Sequence, residues 1–326
     1  MNFQMISGQG QAIRLLQNGL RSGNYSHAYI FHGPPGTGKK AAAMAFARAL
    51  LCEQQSDDSC GACIECRKMD NGNHTAIQTI VPDGASVKIE QIRELQKQFA
   101  YRNTSTSAVQ LYIIHEAEKM TVNAANSLLK FLEEPNSRVV AILITHNGQA
   151  LLPTIRSRAQ SVPFVPLAPQ QMAPLLIAEG LSSPLVQAAV HLTSGIEAAK
   201  ELAQVNWFAE IRNLMIQLAK ECSGDIHSAL LMVQQKLTKS ELTEHLDTLL
   251  DLFVLWFTDM VHMQTDRKQR IVFIDQQEYI MKIAFSRDLG EWVSCIQKAM
   301  EVRNRLRAHV NAQLALDSFL VSMERR

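Results

Sequence analysis

The stretch HAYIFHGPPGTGKK, His27–Lys40, carries a short apolar segment into a glycine-rich turn. The apolar segment His27–Gly33 predicts a buried strand, and Lys39–Cys52, rich in helix formers at helical spacing, predicts a helix. A glycine-rich turn between a strand and a helix is the setting of a phosphate-binding loop. There, backbone N–H groups and the helix N-terminus attract an anion. The stretch therefore predicts a nucleotide-binding α/β domain.

The loop matches the phosphate-loop pattern G-x-x-x-x-G-K at Gly33, Gly38 and Lys39, with Gly36 between them. Lys40, however, stands where a Ser or Thr hydroxyl would ligate Mg²⁺. A charged lysine has no lone pair to offer and repels a metal ion. Gly33, Gly36, Gly38 and Lys39 are therefore predicted to form a degenerate phosphate loop. Whether this loop binds ATP or ADP is left open.

The first half of the chain alternates between apolar and helical patterns. Strands are predicted over Val109–His115 and Val139–Thr145, and between them a helix over Asn123–Glu134 that Pro135 ends. Alternation of this kind is typical of a parallel sheet covered by helices.

After the proline-rich segment Pro163–Pro169, which we interpret as a linker or domain boundary, helical patterns continue almost to the end. We predict three parts: an α/β domain over residues 1–165, a small helical unit over 166–205 and a larger helical unit over 206–326. The boundary near residue 205 is approximate.

The composition excludes few classes of function, but the sequence argues against a secreted protein and against a membrane-spanning protein. The 326 residues include 32 basic and 31 acidic side chains, so the net charge of +1 demands neither a nucleic-acid nor a membrane partner. The N-terminus lacks the pattern of a secretory signal, and apolar runs such as Leu252–Phe257 are too short to span a bilayer. We expect a soluble cytoplasmic protein.

Six cysteines are present, and four of them are clustered in the pattern C-x7-C-x2-C-x2-C. Four thiolates at about 2.3 Å complete a tetrahedral Zn²⁺ site and leave no position for water, so the zinc is expected to be structural. Gly61 allows the tight turn, and local folding is favoured over a partner contact through Arg67 and Lys68. Cys222 and Cys295 are expected to be buried and inert. The predicted zinc ligands are Cys52, Cys60, Cys63 and Cys66.

A second metal-handling position also departs from the pattern of an ATPase. The strand Val109–His115 continues into HEAEKM, so His115 stands where an active enzyme has Asp, and only Glu116 remains. With Lys40 this makes two losses in one coordination sphere, and we expect no intrinsic hydrolysis.

The blocks AEKMTVNAANSLLKFLEEP, Ala117–Pro135, and ILITHNGQALLPTIRSRAQ, Ile142–Gln160, carry a further resemblance. With the phosphate loop and the cysteine cluster, they resemble the clamp-loader branch of the AAA+ ATPases and, within it, the delta-prime subunits of bacterial DNA polymerase III. The order of parts agrees over the whole chain, although the C-terminal segment agrees only in being helical.

The resemblance implies an AAA+ α/β domain, a helical lid and a C-terminal helical collar that joins neighbouring subunits in a ring. Such a ring places a sliding clamp on primed DNA during replication, and delta-prime acts in it as a stator that does not hydrolyse ATP. The implied partners are the motor ATPase and delta subunits, the clamp indirectly, and DNA only through the assembled complex at the nucleoid-associated replisome. No membrane partner is implied.

Two further positions take their expected roles from the resemblance. The family's S-R-C motif stands here as Ser157, Arg158 and Ala159, so Arg158 is the expected arginine finger for ATP on a neighbouring subunit. The alternative is an ordinary surface arginine. The lid arginine that senses the γ-phosphate has no counterpart in Thr193–Leu202. Thr145 and Asn147 stand where the family places a residue that positions the attacking water.

Two other functions stay open on the sequence. A self-sufficient AAA+ motor ATPase would hydrolyse ATP in a manner abolished by Lys39→Ala. A zinc-dependent DNA-binding protein would bind DNA as an isolated chain with steep salt dependence.

Overall fold

The computed structural model describes residues 2–54, 56–71, 74–102, 109–133, 139–222, 226–237, 241–307 and 311–323. The chain divides into two compact units. The first comprises residues 1–167 together with 194–198, and the second comprises 168–193 together with 199–326. The three-part division at residues 165 and 205 stays a prediction.

A five-stranded parallel sheet forms the centre of the first unit, in the order β2-β3-β4-β1-β5. In the register of the sheet, Ile30 lies opposite Leu143 on one side and Ser161 on the other. The strands are β1 Ala28–His32, β2 Ile77–Ile80, β3 Gln110–Ile114, β4 Val139–Thr145 and β5 Gln160–Pro163.

Helices cover both faces of this sheet, which explains why every residue of β4 is buried. Alternate strand residues point to opposite sides, so Phe31 packs with Phe46 on one face while Ile30 packs with Leu128 on the other. The helices of this part are α1 Gly10–Ser22, α2 Lys39–Leu51, α3 Ile64–Asp70, α4 Ile89–Arg102, α5 Val122–Glu133 and α6 Pro153–Arg156.

The predicted elements around the sheet are present with small shifts of their ends. The predicted helix Asn123–Glu134 begins at Val122, because the Thr121 hydroxyl oxygen accepts the Ala124 N–H at 3.2 Å and caps its first turn. Glu134 and Pro135, predicted to end it, lie outside the described residues.

The division between the two units falls after Leu167, within the segment Pro163–Pro169, but the first two residues of this segment are held to the sheet and do not form a linker. Pro163 ends β5, and the Phe164 N–H donates to the His32 carbonyl oxygen at 2.8 Å. Phe164 is buried in the core of the first unit. An edge strand tolerates proline because one side of its backbone needs no partner strand.

The second unit is built from helices. Trp256 and Phe253 of its central helix lie at its core, and Cys222 and Cys295 are buried as expected. Its helices are α7 Pro169–Ala178, α8 Ser183–Leu192, α9 Ile196–Gln204, α10 Asn206–Glu221, α11 Ile226–Leu237, α12 Leu246–Gln264, α13 Gln277–Ile283, α14 Leu289–Arg307 and α15 Ala312–Met323, with α9 beginning in the first unit. Within the described ranges, none of the helices has the length and apolarity needed to cross a membrane.

Candidate functional site

The phosphate loop lies between β1 and α2, and its backbone needs glycine. Gly33, Gly36 and Gly38 have φ angles of 146°, 77° and 81°, and Gly38 forms the N-cap of α2. A Cβ atom on Gly33 would lie 2.0 Å from the Phe164 carbonyl oxygen. The loop therefore keeps the backbone form that can surround a phosphate group.

Lys39 of this loop is buried, with 5% of its surface exposed. Its ammonium group donates to the carbonyl oxygens of Gly33 and Pro34, both at 2.5 Å. Burial lowers the pKa of Lys39 to about 8, which the Glu118 charge partly opposes and the Lys40 charge reinforces. The ammonium group thus has partners within the loop itself.

The start of α9 packs directly on the phosphate loop. This is the segment in which the sequence analysis sought the lid arginine. A Cβ atom on Gly195 would lie only 1.8 Å from the Gly36 carbonyl oxygen. One on Gly36 would lie 2.7 Å from the Cβ of Ala198. Small residues therefore occupy the position against the loop, and the described segment Thr193–Leu202 brings no guanidinium to it.

The carboxyl end of β3 carries His115, which is half-buried. Burial lowers its pKa, and the Lys40 charge lowers it further. The neighbouring Glu116 turns through a left-handed conformation with φ 49° and pairs with Lys119 at 2.6 Å. That partner holds the pKa of Glu116 below its ordinary value. A histidine and a lysine thus lie together where a metal-binding site would need anionic ligands.

Glu118 is a residue of this site that the sequence reasoning missed. Its carboxylate oxygen accepts the His146 N–H at 3.2 Å, and its charge acts on Lys39. It lies in the 3₁₀ turn Ala117–Lys119 after β3, inside the block Ala117–Pro135, but the sequence analysis gave that position no role. Only the folded turn brings its carboxylate towards the phosphate loop.

Thr145 and Asn147, at the end of β4, form a local turn. The buried Thr145 hydroxyl donates to the Asn147 carbonyl oxygen at 3.1 Å and accepts the Asn147 N–H at 3.2 Å. The Asn147 side chain in turn accepts the Gln149 N–H at 2.9 Å. These groups are therefore engaged with neighbouring backbone.

Arg158 follows α6, and 37% of its side chain is exposed. Its guanidinium pairs with Glu133 at 2.9 Å and donates to the Thr154 carbonyl oxygen at 3.1 Å. It also donates to the Ser157 hydroxyl oxygen at 3.3 Å. The group is held at the surface by contacts that solvent can replace.

The four predicted zinc ligands are brought together, with all their sulfur atoms within 4.8 Å of one another. The sulfurs of Cys60 and Cys66 are 4.0 Å apart, close to the edge of about 3.8 Å expected for a tetrahedron with Zn–S bonds of about 2.3 Å. Gly61, with φ 73°, makes the predicted tight turn. The residues therefore fit a tetrahedral metal ion.

Backbone N–H groups point at these sulfurs. The Cys60 N–H donates to the Cys52 sulfur at 3.4 Å, and the Cys63 N–H donates to the Cys60 sulfur at 3.3 Å. The Cys66 N–H donates to the Cys63 sulfur at 3.4 Å at the start of α3. Such donors stabilise thiolates, the form of cysteine that binds a metal ion.

These features agree with the fold that the sequence predicts. A five-stranded parallel sheet carries the phosphate loop after β1, and a helical region follows it. The family model for the delta subunit of DNA polymerase III matches residues 8–168.

Comparison with known proteins extends the match beyond residues 8–168 to nearly the whole chain. DNA polymerase III subunit delta' of Bacillus subtilis is 33% identical over 322 residues, which are 98% of this chain and 98% of that protein. The subunit delta' of Pseudomonas aeruginosa is 38% identical over 137 residues, 41% of this chain and 42% of that protein.

Among solved structures, a DNA polymerase III gamma subunit-related protein from Thermotoga maritima aligns over 96% of this chain and 98% of its own. Its identity of 19% and TM-score of 0.49 are too low to support a functional conclusion. The relative from Bacillus subtilis is matched over a similar share of both chains, but at 33% identity. The chain belongs to the delta-prime subunit family of bacterial DNA polymerase III.

Proposed function

We propose that this chain is a non-hydrolysing stator of the DNA polymerase III clamp loader, which supplies Arg158 in trans to ATP on a neighbouring motor subunit. The observation that carries the proposal is that Lys40 and His115 lie together where Mg²⁺ would be ligated. Lys40 replaces a hydroxyl and His115 replaces a carboxylate, so neither position offers a metal ion an anionic oxygen. The exposed guanidinium of Arg158 is kept.

The remaining carboxylates of the site do not restore a metal-binding set. Glu116 is engaged with Lys119, and Glu118 accepts the His146 N–H while its charge acts on Lys39. A single carboxylate among Lys39, Lys40 and His115 leaves the local charge positive, which disfavours a divalent cation. The chain is therefore expected to show no turnover of its own.

Nucleotide binding is a separate property from hydrolysis. Gly33, Gly36, Gly38 and Lys39 keep the elements of a phosphate cradle, so the loop is compatible with ATP or ADP. A bound phosphate must replace the carbonyl oxygens that Lys39 contacts, and this weakens binding. A titration of the isolated chain with fluorescent ADP measures the residual affinity.

The position of Arg158 suits a finger that acts on another subunit. A guanidinium is always charged, and its planar donors stabilise the charge of a transferring phosphoryl group. Exposed ion pairs contribute only about 0.2–1 kcal/mol, so releasing Glu133 costs little compared with what a phosphate oxygen offers.

The expected partners follow from this role. They are the motor ATPase and delta subunits, with the sliding clamp and primed DNA reached through the assembled complex in the cytoplasm. Residues 166–205 would act as the lid and residues 206–326 as the collar that joins the ring. The cysteine cluster would hold a structural Zn²⁺ that stabilises the local fold.

The test is hydrolysis at the neighbouring site in a reconstituted loader with clamp and primed DNA. Arg158→Ala is expected to slow that site by about 10³-fold or more, and Arg158→Lys should also be impaired because lysine lacks the planar fork. Arg156→Ala, an exposed arginine of the same segment, is the matched control and should stay near the intact chain. Full activity of Arg158→Ala in an assembled loader would overturn the proposal.

The carboxylate of Glu118 beside Lys39 favours one rival, a self-sufficient ATPase with an unusual acidic residue. The isolated chain with Mg²⁺ and ATP distinguishes the two. We expect no hydrolysis above background. Turnover that both Lys39→Ala and Glu118→Gln abolish would establish the rival.

A further inference from the structure

The buried side chain of Arg48 connects the phosphate-loop helix to the cysteine cluster. Arg48 lies in the last turn of α2, four residues before Cys52, and only 6% of its side chain is exposed. Its guanidinium donates to both carboxylate oxygens of Asp70, at 2.6 and 2.8 Å. The guanidinium also lies at the cysteine cluster: a Cβ atom on Gly61, between Cys60 and Cys63, would be 3.9 Å from its Nη2, and its charge acts on the buried Cys66. One side chain thus lies against the candidate metal site and holds the last residue of α3.

The charge of a loaded cluster explains why a cation at this place matters. Four thiolates outweigh one divalent cation, so the centre carries two negative charges. Burying such an anion is costly unless positive or hydrogen-bonding groups surround it. The backbone N–H groups that point at the sulfurs supply part of this stabilisation. Other basic groups of the cluster region point elsewhere: Arg67 is exposed, and Lys68 pairs with Glu65 at 2.8 Å.

We propose that Arg48 is a positioning residue of the metal centre, whose guanidinium orients the Cys66 sulfur and offsets the negative charge of the thiolate cluster. The inference rests on the zinc site of the proposed function. It concerns a residue that is no metal ligand and that lies outside the cysteine motif.

Arginine is suited to this place by its geometry. Its planar fork binds a carboxylate through two parallel hydrogen bonds, and the guanidinium carries further N–H groups that can point towards sulfur. Asp70 is 52% exposed, so solvent shares in the stabilisation of its charge and the pair retains a positive face towards the buried sulfur. Lysine keeps the charge but cannot make both contacts in the same plane.

Two roles for Arg48 make different predictions. If Arg48 acts on sulfur, metal affinity depends on Arg48 and little on Asp70. If Arg48 only braces α3 through its ion pair, removing either partner has the same effect. Asp70→Asn is nearly isosteric and leaves Arg48 beside Cys66, so it separates the two roles.

The experiment is a Co²⁺ titration of the full chain, followed by the thiolate-to-metal absorption band and by competition with Zn²⁺ and a chelator. Arg48→Met is expected to weaken metal binding about 10–100-fold and to shift the band, because loss of an outer contact changes the electron density on sulfur. Arg48→Lys should fall between the intact chain and Arg48→Met. Asp70→Asn should stay within a few-fold of the intact chain.

The control is Arg21→Gln, which removes an ion pair between α1 and Asp57, a residue of the segment between α2 and α3. This change should leave metal affinity and the absorption band unchanged. Circular dichroism confirms folding, and Arg48→Lys answers the question if Arg48→Met does not fold. Unchanged affinity and band in both Arg48 variants, or an equal loss in Asp70→Asn, would overturn the role of Arg48. An intact chain that binds no Co²⁺ or Zn²⁺ would instead overturn the zinc site, and the inference with it.

Discussion

Replacing Lys39 by methionine is expected to remove a rise in the stability of this protein at alkaline pH. The buried ammonium group has its pKa lowered from 10.5 to about 8, chiefly because burial disfavours the charged form. As the pH rises, the folded chain therefore releases this proton before the unfolded chain does. Where the unfolded state binds more protons, stability increases with pH, so the gain falls between about pH 8 and 10.5.

The size of the effect follows from the two pKa values. The difference between 10.5 and about 8 corresponds to about 3 kcal/mol, at about 1.4 kcal/mol for each pH unit. Between about pH 7 and pH 9.5, roughly 2 kcal/mol of this is recovered, because Lys39 is then largely neutral in the folded state only. Lys39→Met carries no charge and cannot show this gain.

Urea unfolding at the two pH values measures the effect, with zinc and reductant held constant. Thiols of the unfolded chain titrate in the same range, so the quantity of interest is the difference between the pH responses of the intact chain and Lys39→Met. Lys200→Met, an exposed lysine paired with Glu179, should keep the full response. An equal rise in the intact chain and Lys39→Met would refute the reasoning.

Three other changes test different parts of the structure. Glu133→Gln frees Arg158 from a pair worth about 0.2–1 kcal/mol, so loader hydrolysis should rise by at most about fivefold; a large fall would mean that Glu133 holds Arg158 in its working position. Gly195→Ala places a methyl group 1.8 Å from the Gly36 carbonyl oxygen and should cost about 1–3 kcal/mol in urea unfolding, whereas Gly10→Ala enters open space and should cost nothing measurable. Removing metal from the cysteine cluster with a chelator should lower the urea midpoint and expose the thiols to alkylation, and an unchanged midpoint would contradict a structural role for the metal.

The interior strands of the sheet could be predicted because burial on both faces requires a continuous apolar run. The segments Ala28–His32, Gln110–Ile114 and Val139–Thr145 have such runs. The edge strands Ile77–Ile80 and Gln160–Pro163 were missed, because most of their residues are partly or fully exposed. A short half-exposed strand is set by its hydrogen-bonding neighbour, which local sequence does not reveal.

The residues of the candidate sites also divide into those that local sequence reveals and those that only folding brings together. Local spacing was enough to identify the glycines and Lys39 of the phosphate loop and the cysteine cluster, since each set lies within a short stretch of chain. Glu118 and Arg48 escaped detection. Each acts on a group that only folding brings near, and the sequence analysis gave neither position a role.

The amino-acid order by itself determined the phosphate loop with its two altered metal positions, the four clustered thiols and membership of the delta-prime family. The loop glycines and the four thiols each lie within a short stretch of chain, and the family resemblance rests on blocks of consecutive residues. Only the tertiary structure decided that Gly195 packs on Gly36, that Arg158 pairs with Glu133 and that Arg48 reaches Cys66. Contacts of this kind join distant parts of the chain, and the packing of helices on the sheet selects them.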